Sequence, residues 1–311
     1  MDNCSFFIKD QAIFGNYPDN NLVKFLEDTH NVNYFIDLTN DKESLPSYEI
    51  NYKSTYITFP IQDRNTPKNH TKFVVFVLKI TKLLKENNRI YIHCRGGHGR
   101  SGIVVSCIIS HLFDLSPDRS MEITSVCHNN RLIMRQKWRD IGSPQTYFQK
   151  QYVKYICKSF YFWKATITGP TLGFSPFSEH CVNIPNIGIF PTLIAAYYAH
   201  KNLNDDSYVE SLITSSSAHH CKMISMNYKN FNKDEWDEKK EYYMTILTTL
   251  KIEQHEDIRT TLINTHLRKL ICSDKNNGYW GYGINETGEN RLGKIFMTIR
   301  NKIISQLNND I

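Results

Sequence analysis

The feature that most constrains this chain is one string, His93-Cys94-Arg95-Gly96-Gly97-His98-Gly99-Arg100-Ser101-Gly102. Ahead of it, residues 89–93 make a short apolar run suited to a strand; behind it, residues 102–112 are apolar enough for a buried helix. The order is therefore strand, tight loop, helix. Glycines at 96, 97 and 99 let the backbone turn sharply enough for successive N–H groups to point at one centre. The helix that begins near Arg100 adds the positive end of its dipole there. A loop of this kind holds an oxyanion, and Arg100 can grip two of its oxygens with a planar fork. The same field favours the thiolate of Cys94, the nucleophilic form of the side chain.

These residues suggest a reaction. A thiolate beside a bound phosphate ester can attack phosphorus in line and form a thiophosphate intermediate. Ser101 can donate a hydrogen bond to the sulfur as that intermediate breaks down. Arg95, Gly96, Gly97, His98, Gly99 and Arg100 are the expected phosphate-binding positions. His93 is expected to orient the loop through backbone hydrogen bonds and to transfer no proton itself. The side chain of His98 is expected to face solvent, with substrate contact as the alternative. The leaving group needs a proton, and Asp63, in a loop just after a strand, is the candidate acid. Asp37 competes for that role, but it lies inside the strand pattern of residues 31–38 and reads as structural. The chemistry needs no metal and no cofactor.

The rest of the first half fits a sheet with helices packed on it. Residues 31–38 and 54–60 are rich in aromatic and β-branched side chains, as strands are. Phe73, Val77, Ile80 and Leu84 mark one apolar face of a helix over residues 71–86. Ser116-Pro117 and Ser143-Pro144 each look like a cap followed by Pro at the first helical position, the second opening a helix to about residue 157. Strands separated by helices imply an α/β domain with a central, mostly parallel sheet. The pattern changes after Phe160, and residues 169–178 are turn-rich. With a prior of about 150 residues per domain, the expected domains are 1–160 and 161–311. Helices are expected over residues 192–201, 207–212, 234–250 and 291–307.

The first-half residues resemble the protein tyrosine phosphatase superfamily, in its dual-specificity-like branch. The pattern HCxxGxxRS is complete, and the resemblance extends from Phe14-Gly15-Asn16-Tyr17-Pro18 through the Asp63 loop to Ser143-Pro144-Gln145. It implies that Asp63 is the general acid and that Gln145 helps place the hydrolytic water. It also implies a phosphorylated protein as substrate, carrying phosphotyrosine and phosphoserine or phosphothreonine. A phosphorylated nucleotide or RNA phosphate is the alternative.

In the second half the prominent string is Gly278-Tyr279-Trp280-Gly281-Tyr282-Gly283, followed by Gly288-Glu289-Asn290-Arg291-Leu292-Gly293, Met297 and Arg300. Physically this is an aromatic plate between glycines, then a turn into an amphipathic helix. A Trp core plug with turn glycines is the plainer reading of the composition. The spacing resembles the NADAR or YbiA-like family, as do Trp236 with Lys239 and Met244, Leu262 with Thr265 and Leu267, and Ser175-Pro176-Phe177. The resemblance implies a mainly helical α+β domain that binds a nucleotide or ADP-ribose-like ligand, in a family acting on N-glycosidic bonds. Lys201, Trp236, Trp280, Gly281 and Asn290 are its expected ligand-site residues. The family's Glu-His pair is replaced here by Ile194 and Ala195, and its Asp ahead of the Trp by Asn277. An apolar residue cannot move a proton, so binding without cleavage is the expectation, with an N-glycosidase-like activity as the alternative.

The formal charge of +6 suits anionic substrates without the concentrated patch that nucleic-acid binding calls for. No apolar run reaches the roughly 18 to 20 residues that span a bilayer, so no membrane association is expected. Eight scattered cysteines form no CxxC pair. A function that needs a free thiolate suits a reducing cytoplasm.

Overall fold

The computed structural model describes residues 2–163 and 172–306. The start of the turn-rich stretch, 169–171, and residue 307 of the last expected helix lie outside them. The chain divides into two compact units, one reaching Lys158 with His266–Arg268 and the other comprising Ser159–Thr265 with the chain from Lys269 onward.

The first unit is α/β. Its elements are β1 (Cys4–Ile8), β2 (Ala12–Gly15), α1 (Asn20–His30), β3 (Tyr34–Asp37), β4 (Thr55–Thr58), α2 (His70–Lys85), β5 (Ile90–His93), α3 (Arg100–Leu112), α4 (Pro117–Asn129), α5 (Gln136–Ile141) and α6 (Tyr147–Cys157). The five strands lie in the order β1-β2-β5-β3-β4. Only β1 pairs antiparallel; β2, β5, β3 and β4 run parallel. The buried face of α2 contains Phe73, Val77, Ile80 and Leu84, the side chains whose spacing marks it in the sequence. Helix α3 is buried from Arg100 through Ser110, which is why it reads as a continuous apolar run rather than an amphipathic one.

The register decides where the functional loop sits. Gly15 of β2 and Asp37 of β3 both stand beside His93, the last residue of β5. Three parallel strands therefore end at one level, and the loop after β5 opens in the crevice beyond their carboxyl ends, where open α/β sheets bind ligands.

One helix start differs from expectation. Helix α6 begins at Tyr147, because Thr146 and Gln149 form a reciprocal capping box. Ser143 does not cap it; its hydroxyl donates to the His98 carbonyl at 2.6 Å.

The second unit is mainly helical α+β. Strands β6 (Phe160–Phe162) and β9 (Leu270–Cys272) pair in parallel, and β7 (Val182–Ile184) and β8 (Gly188–Phe190) form an antiparallel pair. Around them lie α7 (Leu193–Ala199), α8 (Asp206–Ile213), α9 (Ala218–Asn227), α10 (Lys233–Gln254), α11 (Glu256–Ile263) and α12 (Arg291–Gln306). Phe162, Phe174 and Phe296 meet in its core with ring centroids 5.0 to 5.8 Å apart. Among the described residues no helix is long and apolar enough to cross a membrane.

Candidate functional site

The loop from Cys94 to Gly99 closes on itself. The Gly97 N–H donates to Cys94 Sγ at 3.2 Å. Gly97 has φ +71°, and a Cβ there would lie 2.3 Å from the Gly15 carbonyl carbon. Only glycine satisfies both demands. The Tyr17 N–H donates to the Arg95 carbonyl at 3.1 Å, tying the loop again to the segment after β2. Cys94 is 3% exposed, at the base of a cavity of about 330 Å³ that Asp63, Arg64, Arg95, Trp138 and Gln145 also line.

Arg100 is held from one side. Its guanidinium meets both carboxylate oxygens of Glu43, the Ile61 carbonyl at 3.0 Å, and Asp63 Oδ1 at 3.0 Å from Nη2. Its Nε, and the hydroxyl of Ser101 beside it, are buried with no partner. Buried polar groups are normally satisfied, so two orphans at the start of the helix behind this cavity mark a candidate ligand site. Burial pulls the Glu43 carboxyl upward, but the Arg100 hydrogen bond and charge outweigh it, leaving Glu43 below the ordinary carboxylate range.

Glu43 is the residue that sequence reasoning missed. It ends a short turn capped by Asn40, whose N–H donates to Glu43 Oε1 at 3.2 Å. The Asn40-to-Glu43 spacing of a capping box is legible in the sequence; its aim at Arg100 is a tertiary fact. Gln149 lines the same cavity, with its amide spent on the Thr146 N–H at 3.0 Å and the Asn65 carbonyl at 3.2 Å.

The histidines differ from one another. His93 is fully buried, and its ring does not make the expected backbone hydrogen bonds: Nε2 lies 2.6 Å from the Tyr48 hydroxyl, and Nδ1 has no hydrogen-bond partner. Burial, opposed by Asp37 and assisted by Arg100, pushes its pKa down to about 4. Asp37 accepts from Thr39 and from the Tyr56 hydroxyl at 2.6 Å and does not line the cavity. His98, expected to face solvent with substrate contact as the alternative, is half-buried and lines the Cys94 cavity. Its Nδ1 is 2.8 Å from His128 Nε2, and its ring stacks on Trp138 at 4.9 Å. Burial lowers its pKa to about 4. The signal that could have found this, a Trp among basic residues beyond α4, is faint in sequence.

The second unit holds its own cavity, of about 370 Å³. Lys201, Trp236 and Trp280 line it, with Ile194 and Asn277. Tyr197 packs between the tryptophans, 4.8 Å from one ring and 5.9 Å from the other. The Lys201 ammonium donates to the Ser225 carbonyl at 2.8 Å and sits 4.4 Å over the Phe231 ring. Burial and repulsion from Lys229 lower its pKa.

Other expected residues lie elsewhere. Asn290 is buried outside the cavity, accepting from the Cys272 N–H and donating to the Leu270 carbonyl, both at 2.9 Å. Gly281 packs where a Cβ would meet Asp274 at 2.8 Å. Lys239 is exposed and paired with Glu235; the neighbouring Lys240 lines the cavity instead, one step further round the helix. Asn277 uses one oxygen to accept from the Tyr279 and Trp280 N–H groups at 3.0 and 3.1 Å. An amide does this as well as a carboxylate. Asp237, Asp274 and Lys222 also line the cavity, and no motif singled them out.

Comparison with known proteins gives the two halves separate kin. A family model described as "Polymorphic toxin system, DSP-PTPase phosphatase" matches residues 16–112, and one described as "NADAR domain" matches residues 161–304. A protein of Invertebrate iridescent virus 6 named tyrosine phosphatase 197R is 29% identical over 305 residues, covering 96% of this chain and 90% of that protein. The N-glycosidase YbiA of Shigella flexneri is 31% identical over 130 residues, covering 42% of this chain and 80% of that protein. The crystal structure of Tk-PTP in the active form aligns over 49% of this chain and 94% of its own, with 20% identity and a TM-score of 0.39. The chain belongs to the NADAR family through its YbiA-like second half, and its first half matches the DSP-PTPase phosphatase model.

Proposed function

We propose that residues 1–160 hydrolyse phosphate monoesters through Cys94, with phosphotyrosine and phosphoserine or phosphothreonine of proteins as substrates. Residues 161–311 then form the second domain. The observation that carries this reading is the pair of buried, unpartnered donors, Arg100 Nε and Ser101 Oγ, beside Cys94.

Arg100 and the N–H groups of residues 95–99 seat the phosphate. The Cys94 thiolate forms a bond to phosphorus, the ester P–O bond breaks, and Asp63 gives its proton to the departing oxygen. Water, oriented by Gln145, then attacks phosphorus; Asp63 takes its proton, the S–P bond breaks, and Ser101 donates to the sulfur that leaves. Glu43 holds the guanidinium in place throughout, and His93, neutral, braces the loop through Tyr48. The free thiol this cycle needs suits a reducing cytoplasm.

For the second domain, the lysines and aromatic rings of its cavity support binding of a nucleotide or ADP-ribose-like ligand. A second reading joins the halves into one route of ADP-ribose or nucleotide metabolism, in which Cys94 removes a nucleotide or RNA phosphate. The test is phosphate release from a phosphotyrosine peptide and from an ADP-ribose phosphate monoester, side by side, with Cys94→Ser as blank. Faster release from the peptide supports the first reading; faster release from the nucleotide replaces it with the second.

A further inference from the structure

Arg131 follows α4 and is 2% exposed. One nitrogen of its fork, Nη2, donates to the Gly97 carbonyl at 3.0 Å and to the Phe14 carbonyl at 3.2 Å. Its guanidinium lies 4.5 Å over the Phe14 ring, and Nε reaches Ser5 Oγ at 3.5 Å. Arg139 in turn donates to the Arg131 carbonyl at 2.7 Å and fixes the backbone that carries it.

Every one of these partners is neutral. Among the described residues no carboxylate lies within ion-pair distance of Arg131. A buried cation without a counter-ion is strongly unfavourable unless something nearby carries negative charge. The acidic groups that feel its charge are Tyr91, Cys94 and Cys4. Burial pushes Tyr91 and Cys4 upward, so both stay protonated near neutral pH. Of the three, Cys94 is the one that lines the cavity.

The geometry carries a second consequence. Gly97 is the residue whose N–H faces Cys94 Sγ and whose α-carbon has no room beside Gly15. Holding the Gly97 carbonyl beside that of Phe14 on one guanidinium nitrogen fixes the plane of the Gly97–His98 peptide and so the course of the loop around Cys94.

We propose that Arg131 is a positioning residue of the phosphatase centre, tying the Gly97 peptide to β2 and supplying, from beneath the loop, the charge that the Cys94 thiolate balances. This rests on Cys94 as the nucleophile. The titratable and charged groups that face that thiol are Tyr91 from β5, Arg100 from α3 and Arg131 from beyond α4, with Asp63, Arg64, Arg95 and His98 lining its cavity; Glu43 reaches it through Arg100.

The experiment compares the full chain with Arg131→Met and Arg131→Lys. Alkylation of Cys94 by iodoacetamide is followed at about pH 6 by mass spectrometry of its peptide, beside kcat and KM on p-nitrophenyl phosphate. The Met variant is expected to alkylate about tenfold more slowly, the ratio that follows from losing one neighbouring charge, with a matching fall in kcat. The Lys variant keeps the charge and recovers most of the alkylation rate but, lacking the fork, only part of kcat. If the Met variant does not fold, wild type against Lys decides. A Lys variant that alkylates as slowly as a solvent-exposed thiol such as Cys181, or a Met variant matching wild type in both readouts, overturns the proposal. Wild type that releases no phosphate overturns the phosphatase reading instead.

Discussion

The two cavities are built on opposite plans. In the first unit the proposed anion site comes from one contiguous loop, and its neighbours keep that loop in shape: Gly15 makes room for Gly97, Glu43 holds Arg100, and Tyr48 braces His93. In the second unit the cavity is walled by side chains from separated helices and turns, while the most regular motif residues, Asn290 and Gly281, are spent on backbone packing. A backbone cradle is written as a string, whereas a side-chain cavity is written across the chain.

That contrast can be broken by substitution. Cys94→Ser should abolish phosphate release by several orders of magnitude while leaving phosphate affinity largely intact, since the cradle is backbone and Arg100; substantial residual turnover would move the nucleophile elsewhere. Asp63→Asn should slow hydrolysis of esters with poor leaving groups by about 10²- to 10⁴-fold, and activated aryl phosphates much less. Equal losses on both substrates would remove Asp63 as the acid.

Smaller effects sharpen the comparison. Glu43→Gln leaves a buried guanidinium with one carboxylate fewer. Because Asp63 and the Ile61 carbonyl remain, the loss of stability should stay near the lower end for a broken buried pair, about 3 kcal/mol. KM should rise more than kcat falls, and an unchanged unfolding midpoint would count against the pairing. In the second unit Trp280→Ala should weaken ADP-ribose binding about tenfold, as loss of a stacking ring does, and calorimetry with phosphate release measured on the same sample would show whether only one site responds.

The smallest effect is a pH slope. Burial lowers His93 and His98 to about 4 and His128, also disfavoured by Arg131, to about 3. Unfolded, each titrates near 6.5. Between about pH 6.5 and 4 the unfolded chain therefore binds more protons, and stability falls as pH falls through that window. His128→Gln should flatten the slope of unfolding midpoint against pH over the same range; an unaltered slope would mean His128 is not buried as a neutral ring.

Much of the first unit was legible because period and punctuation agree there: the 4-3-4 face of α2, the strand before Cys94, and the glycines after it each point to one element. Ser143-Pro144 misled because a cap-like pair occurs just before the true cap, Thr146, whose partner Gln149 stands at the third helical position. Glu43, Arg131 and the His98–His128–Trp138 cluster were hidden for a common reason. Each acts across the fold on a residue dozens of positions away, and no local spacing records that. In the second unit the apolar positions announced a core, but which polar residues face the cavity depends on helix rotation, as Lys239 and Lys240 show.

The contact of Gly97 on Gly15 bears on the order in which this molecule acquires activity. The cradle cannot take shape until β2 lies beside β5 in register, because Gly97 packs directly on the Gly15 backbone. A growing chain that has already emerged past Ser101 still lacks a working centre until that pairing is made. Recovery of turnover after dilution from denaturant should therefore follow strand docking rather than helix formation, which makes the enzyme's own product a clock for the assembly of its sheet.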